Sequence, residues 1–189
     1  MIEVQLLKAV EFAAEAHVGH KRKSSDEPYI NHLIRVAHQA AKAGLSLEAV
    51  EASLLHDILE DTSVTAEDLE QAFSKRVVDL VELMTQWWPD DAPQNLKRTE
   101  IPKYYAAILK DPEAIAIKLL DRADNLREMA RTIDIVPRWA QRYLKKSEME
   151  MEELLNQSQH LFAVEDCRRA LEELRRALMK HKPSRSLDV

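Results

Sequence analysis

The sequence predicts an all-α fold, a helical bundle of about eight to nine helices. Three observations carry this expectation. The strong helix formers Ala, Leu, Glu, Lys and Arg dominate, and only two glycines, Gly19 and Gly44, occur in 189 residues. Apolar residues recur at three- and four-residue spacing, the stripe that an amphipathic helix buries. No short run of alternating β-branched residues stands out as a strand.

Taken in order, Val4, Leu7, Val10, Ala13 and Ala14 place a first helix over 3–17, stopping before Gly19. A basic, turn-rich stretch follows, His20-Lys21-Arg22-Lys23-Ser24-Ser25-Asp26. Pro28 suits the first turn of a second helix, and Gly44 suits its C-cap. Ser46 is the expected N-cap of a third helix reaching about Glu60. Thr65 with Asp68 three residues on forms a capping-box pattern for a short helix through Phe73. Another helix covers about 75–86, and the two prolines and paired acids of 87–96 mark a loop. Helices are then expected at 97–110, 112–132, 137–156 and 158–180, with Pro102, Pro112 and Pro137 marking starts. The last two should complete the core or form a self-association face. Residues 1–181 read as one domain, and 182–189 as a disordered tail.

Composition removes several function classes. Lys+Arg number 27 and Asp+Glu 33, a net charge of −6, which argues against a basic nucleic-acid binder. Two glycines cannot build a dinucleotide fingerprint, and no phosphate-cradling P-loop is present. A single cysteine, Cys167, allows no intrachain disulfide and suits a reducing cytoplasm; on its amphipathic helix it reads as a small core residue. The N-terminus has acids where a signal peptide needs bases, and no window approaches the length of a spanning apolar helix, so neither export nor membrane is expected.

The third helix is the most informative. At 100° per residue, Leu54, Leu55, Ile58 and Leu59 share one arc, and His56, Asp57, Glu60 and Asp61 the opposite one. A solvated polar face is the ordinary reading of such an arc. Two features oppose it. Between Lys42 and Lys75 no Lys or Arg occurs, while Glu48, Glu51, Asp57, Glu60, Asp61, Glu67, Asp68 and Glu70 supply eight carboxylates. Three of these acids crowd the helix C-terminus, where the dipole disfavours anions. A bound cation would offset both costs, and imidazole beside carboxylate is a metal-ligand combination. His32 sits early in the second helix. Asp121 sits on a helix apolar around most of its circumference, so a buried carboxylate there needs a partner: a metal, or a salt bridge to Lys118 or Arg122.

Three ordered motifs then carry a resemblance. They are Ala16-His17-x-Gly19 with Arg22-Lys23 and Pro28-Tyr29-Ile30-x-His32; Leu54-Leu55-His56-Asp57-x-x-Glu60-Asp61-Thr62; and Lys118-Leu119-x-Asp121-Arg122-x-x-Asn125. Over about residues 5–130 this resembles the HD-type hydrolase domain of RelA/SpoT proteins, whose single-domain versions are small alarmone hydrolases. The resemblance implies an all-α domain that binds Mn²⁺ and removes the 3′-pyrophosphate of (p)ppGpp. It implies His32, His56, Asp57 and Asp121 as metal ligands, Glu60 and Asp61 as the acids handling the attacking water, and Arg22, Lys23, Ser24 and Asn125 as nucleotide contacts. With no synthetase region in these 189 residues, hydrolysis alone is expected. The family's usual R-K-S-G-E-P-Y is here Arg22-Lys23-Ser24-Ser25-Asp26-Glu27-Pro28-Tyr29, one residue longer and without glycine. Asp124 replaces its usual histidine, and Leu33 its usual proline.

Other readings stay open. The altered loop leaves room for another nucleotide, such as (p)ppApp or NADPH. A non-catalytic nucleotide-sensing scaffold is a third reading, opposed by the complete ligand and acid set. Lys21-Arg22-Lys23, and more weakly Lys97-Arg98, are candidate phosphate clamps, with a solvated loop the alternative for Lys21 and Lys97. Trp87 and Trp88 read as loop anchors rather than base-stacking platforms. His17, His20, His38, His160 and His181 fall outside the ligand pattern and read as surface or satisfied residues.

Overall fold

The computed structural model describes residues 2–88 and 91–181, with the side chains of Ile2 and Glu3 left out of the account. The expected tail at 182–189, and Pro89 and Asp90 of the expected loop, lie outside the described residues. Among those described, ten helical segments occur: α1 Ile2–Ala16, α2 Ile30–Lys42, α3 Leu47–Leu55, α4 Ile58–Asp61, α5 Ala66–Ala72, α6 Lys75–Met84, α7 Gln94–Ile108, α8 Pro112–Arg131, α9 Pro137–Gln157 and α10 Leu161–Lys180. Among the described residues the one β-feature is an isolated bridge between Lys21 and Pro28.

Local chemistry sets most boundaries. Ser46 Oγ accepts from the Ala49 N–H at the start of α3. Thr65 and Asp68 form a reciprocal capping box on α5. Asp111 caps α8 through the Glu113 and Ala114 N–H groups, with Pro112 at its first position. Gly44, at φ +72°, takes the left-handed turn just beyond the Ala43 C-cap of α2.

Three expectations need correction. Pro28 lies before α2, whose N-cap is Tyr29. Pro102 lies inside α7, which begins at Gln94 rather than at residue 97. The third helix is not continuous: it breaks at His56–Asp57, where Asp57 adopts φ −101°, ψ 1°. In line with the features that oppose a solvated face, every residue of α3 from Val50 onward, and His56 after it, is buried. A helix enclosed on all sides by α1, α2, α6 and α8 shows no clean amphipathic arc.

Helix α8 is the axis of the molecule, packed against α2, α9 and α10. Its residues Ala114 to Asp124 are all buried. Leu33, Leu54, Leu55, Ile58, Leu80, Ile117, Leu119, Leu120 and Leu126 form the core around it. Cys167 is fully buried in this core, as its sequence context suggests. This packing brings the N-terminal turn of α2, the α3–α4 break and the middle of α8 to one point.

Candidate active site

Two imidazoles from different helices meet at that point. His32 is fully buried and His56 is 1% exposed. His32 Nδ1 lies 2.8 Å from Asp124 Oδ2, and His56 Nδ1 lies 2.9 Å from the Ser53 carbonyl. Each contact has Nδ1 as donor, so Nε2 is the nitrogen that the neutral imidazole would offer to a metal. Both Nε2 atoms are buried without a hydrogen-bond partner.

Carboxylates face these two nitrogens. Asp57 Oδ2 lies 3.1 Å from His56 Nε2 and 3.8 Å from His32 Nε2. Asp121 Oδ1 lies 3.4 Å from His32 Nε2 and 3.7 Å from His56 Nε2. One donor atom from each of His32, His56 and Asp57 falls within 4.8 Å of the others. The break before α4 matters here, because it releases Asp57 from helical direction beside His56. The residues fit a divalent cation: two buried imidazole nitrogens without a hydrogen-bond partner and two carboxylates form a mixed N/O donor set, in which a cation would take the place of an imidazole proton.

Electrostatics agree. Burial opposes charge on His56, yet Asp57 and Asp121 outweigh it and push the imidazole's pKa well up. Burial likewise opposes ionisation of Asp57, but His56 pulls that carboxyl below its usual range. Asp121 is also held well below it against burial, by Lys118 first and then the two imidazoles. Two carboxylates held ionised around two histidines form a cation-seeking centre. Both partners expected for Asp121 on sequence grounds can be checked. Lys118 Nζ donates to its Oδ2 at 3.2 Å, while Arg122 turns away to Ser147 and Glu150. The lysine leaves Oδ1 facing the imidazoles.

The centre opens into a cavity of about 610 Å³. Glu60, Asp61, Lys23, Asn125, Lys118 and Lys146 are among its lining residues. Glu60 accepts from the Gln86 N–H at 2.6 Å, which aims one carboxylate oxygen. It borders the cavity and meets solvent there, but burial of its charge and then the neighbouring Asp57 push its carboxyl up to about 7. Asp61 is shifted upward for the same two reasons, in the same order. A carboxyl titrating near neutrality beside a metal centre suits proton transfer.

Of the expected nucleotide contacts, Lys23 and Asn125 line this cavity. Asn125 Nδ2 donates to Asp121 Oδ1 at 2.6 Å. Arg22 and Ser24 lead elsewhere first. Arg22 Nε donates to Glu128 Oε2 at 2.5 Å, its NH2 group donates to Asn125 Oδ1, and Ser24 Oγ donates to Glu128 Oε1. The guanidinium then lies 5.1 Å over the Tyr29 ring. A smaller space of about 180 Å³, bounded by Arg22, Lys23, Tyr29, Trp139 and Tyr143, adjoins these residues. Lys21 is exposed and pairs with Asp26, so it is a solvated loop residue.

Several participants carry no periodic signal in sequence. Tyr29 Oη donates to Asp57 Oδ2 at 2.6 Å. Asp124, noted only as a departure from a usual histidine, holds His32. Glu128 holds the Arg22 loop from 106 residues away. His17, read as a surface or satisfied residue, is 3% exposed, stacks on Tyr29 at 5.0 Å and keeps its buried Nε2 without a hydrogen-bond partner. Trp87 is 66% exposed at the cavity edge and anchors nothing, whereas Trp88 packs edge-on against Tyr104.

Together these features define a class: an all-α domain with a buried His/Asp centre able to hold a divalent metal. The HD-domain family model matches residues 9–149, and the chain belongs to the HD-domain family. It is 38% identical over 129 residues to a guanosine-3′,5′-bis(diphosphate) 3′-pyrophosphohydrolase of Aquifex aeolicus and, equally, to the bifunctional (p)ppGpp synthase/hydrolase SpoT of Escherichia coli K12. Each match takes in 66% of this chain and 18% of the relative. A GTP pyrophosphokinase of Streptomyces coelicolor is 35% identical over 146 residues, 77% of this chain and 16% of that protein. The chain thus corresponds to under a fifth of the length of these curated relatives. Among solved structures, that of a metazoan ortholog of SpoT, described as hydrolyzing ppGpp, superposes with a TM-score of 0.71 at 24% identity. It covers 87% of this chain and 94% of that one, and confirms the fold. Among the described residues no helix is long and apolar enough to cross a membrane.

Proposed function

We propose that this chain is a metal-dependent pyrophosphohydrolase that removes the 3′-pyrophosphate of (p)ppGpp, releasing GDP or GTP and pyrophosphate. The observation that carries this reading is the pair of unpartnered Nε2 atoms converging with Asp57 and Asp121 at the cavity floor. In this reading His32, His56, Asp57 and Asp121 hold the ion, with Mn²⁺ the expected metal, and it supplies Lewis acidity and an activated water. Glu60 or Asp61 takes the water's proton. Lys23, Lys118 and Lys146, which line the cavity, offset the phosphoryl charge in a chain of net charge −6. Arg22 has its donor edges occupied by Glu128 and Asn125, so it serves the nucleotide through its face, with Asn125 and the Ser24 loop setting the pocket wall. Cytoplasmic action fits the single, buried, reduced Cys167.

The test is pyrophosphate release with Mn²⁺ across ppGpp, its adenine analogue, GTP and NADPH. The reading expects ppGpp to be preferred, and Arg22→Ala to lower kcat/KM at least about tenfold with metal retained, or roughly 1.4 kcal/mol. Preference for GTP or NADPH would reject it. The glycine-free Arg22–Tyr29 loop supports one second reading, in which the same chemistry acts on the adenine analogue.

A further inference from the structure

A second cavity, of about 420 Å³, lies between α2, α8 and α10 and shares no lining residue with the first. Five cations and four carboxylates line it. Three of the carboxylates are committed: Asp124 to His32 and Arg35, and both Asp166 and Glu173 to Arg127. Those contacts also occupy Arg35 and Arg127. That leaves Lys42, Arg131 and Arg169, for which no carboxylate lies within 4.0 Å among the described residues, against Glu165 alone. With five cations against four carboxylates, the cleft is locally positive by one charge in a chain of net charge −6.

Helix ends explain part of this and no more. Lys42 and Arg131 close α2 and α8, where the dipole favours a cation. Arg169 lies in the middle of α10 and gains nothing from a helix end. Three helices thus direct cations that bond no carboxylate to one concavity, where their donors can meet a phosphoryl group. Two further features suit a ligand. Lys42 Nζ lies 5.3 Å over the half-buried Phe162 ring, giving the cleft an aromatic face. The Gln39 Oε1 atom is buried without a hydrogen-bond partner, leaving an acceptor for a ligand hydroxyl.

We propose that this cleft is a second binding site, for a small ligand carrying several phosphoryl charges. Arg35 connects it to the metal centre. Its guanidinium donates to Asp124 at 2.7 and 3.0 Å and to Glu27 at 2.5 and 3.3 Å, and Asp124 in turn holds His32 Nδ1. A bound phosphoryl group competes with Asp124 for Arg35, so occupancy here is felt one hydrogen bond from a candidate metal ligand.

The experiment does not depend on the reaction assigned to the first cavity. Metal-free protein is titrated calorimetrically with inorganic tripolyphosphate and, separately, with adenosine 5′-diphosphate. Binding should survive Lys23→Glu with Lys146→Glu in the first cavity. It should weaken at least tenfold in Lys42→Glu with Arg169→Glu, and several-fold in the milder Arg131→Gln, with thermal melting confirming that each variant folds. Tighter binding of the nucleotide assigns the aromatic face and Gln39 to a nucleoside; tighter binding of tripolyphosphate assigns the site to phosphoryl groups alone. Parent-like binding in both cleft variants, loss of binding in the Lys23/Lys146 variant, or no binding by the parent would overturn the proposal. So would a single-stranded RNA that binds through the cleft residues more tightly than either small probe.

Discussion

Replacing Asp124 by asparagine tests how the metal centre is held without touching an assigned ligand. Asp124 bonds His32 Nδ1 through Oδ2, at 2.8 Å, and Arg35 Nε through Oδ1, at 2.7 Å. Although burial opposes its ionisation, His32 and Arg35 keep the carboxyl below the usual aspartate range, so it is an anion at neutral pH. Its charge fixes the His32 tautomer and makes the Nε2 lone pair a stronger donor. Asparagine preserves shape and can still accept one hydrogen bond, but it removes the charge. Outer-sphere partners of this kind are worth about 10- to 100-fold in metal affinity, or about 1.4–2.7 kcal/mol. Global stability should change less, because Glu27 remains to pair Arg35. A competitive Mn²⁺ titration against a fluorescent chelator reads the effect, with a melting curve of the metal-free protein as control. An affinity within threefold of the parent, in a variant that folds normally, would refute the claim that Asp124 tunes His32.

Other predictions use different parts of the structure. Glu60→Gln keeps an acceptor for the Gln86 N–H, so metal content should stay near normal while turnover falls roughly 10²–10⁴-fold. In the parent, loss of the Glu60 proton should give an acidic limb in the rate profile with its midpoint at about 7, activity rising with pH, and the variant should lack it. Burial pushes the His17 imidazole from 6.5 down to about 4, so in that window the unfolded chain takes up the proton. Stability should be full above pH 6.5 and decline toward pH 4, by on the order of 3 kcal/mol at most, and Tm measured across that range should flatten in His17→Phe. Arg22→Ala leaves Glu128, 2% exposed, without its buried cation, so it should also cost about 3 kcal/mol or more in urea unfolding; Arg22→Ala with Glu128→Ala should recover part of that loss.

The fold was legible where one residue type dictates local geometry. Ser46, Thr65 with Asp68, Pro112 and Gly44 each mark a helix end because capping and left-handed turns depend only on near neighbours. The same locality made the assigned ligands legible, since His56-Asp57 and the buried α8 carboxylate stand out against their own helices. Other features depend on residues far apart in the chain. Asp124 meets His32 across 92 positions and Glu128 meets Arg22 across 106, and no periodicity encodes such pairings. The break at His56–Asp57 has no glycine or proline to announce it. The stacking of His17 on Tyr29 was not legible, because a buried imidazole looks, in sequence, like any polar residue at the end of an amphipathic helix.

The measurement closest to the central claim is initial-rate pyrophosphate release from ppGpp by Mn²⁺-loaded protein, run beside His56→Ala and Asp121→Ala. The account predicts robust release by the parent, with pyrophosphate and GDP in equal amounts. Both variants should lose bound metal and activity together, since each removes one donor from the shared centre. Full metal occupancy in either variant, or ppGpp left intact by metal-loaded parent protein that hydrolyses GTP or NADPH, would contradict it.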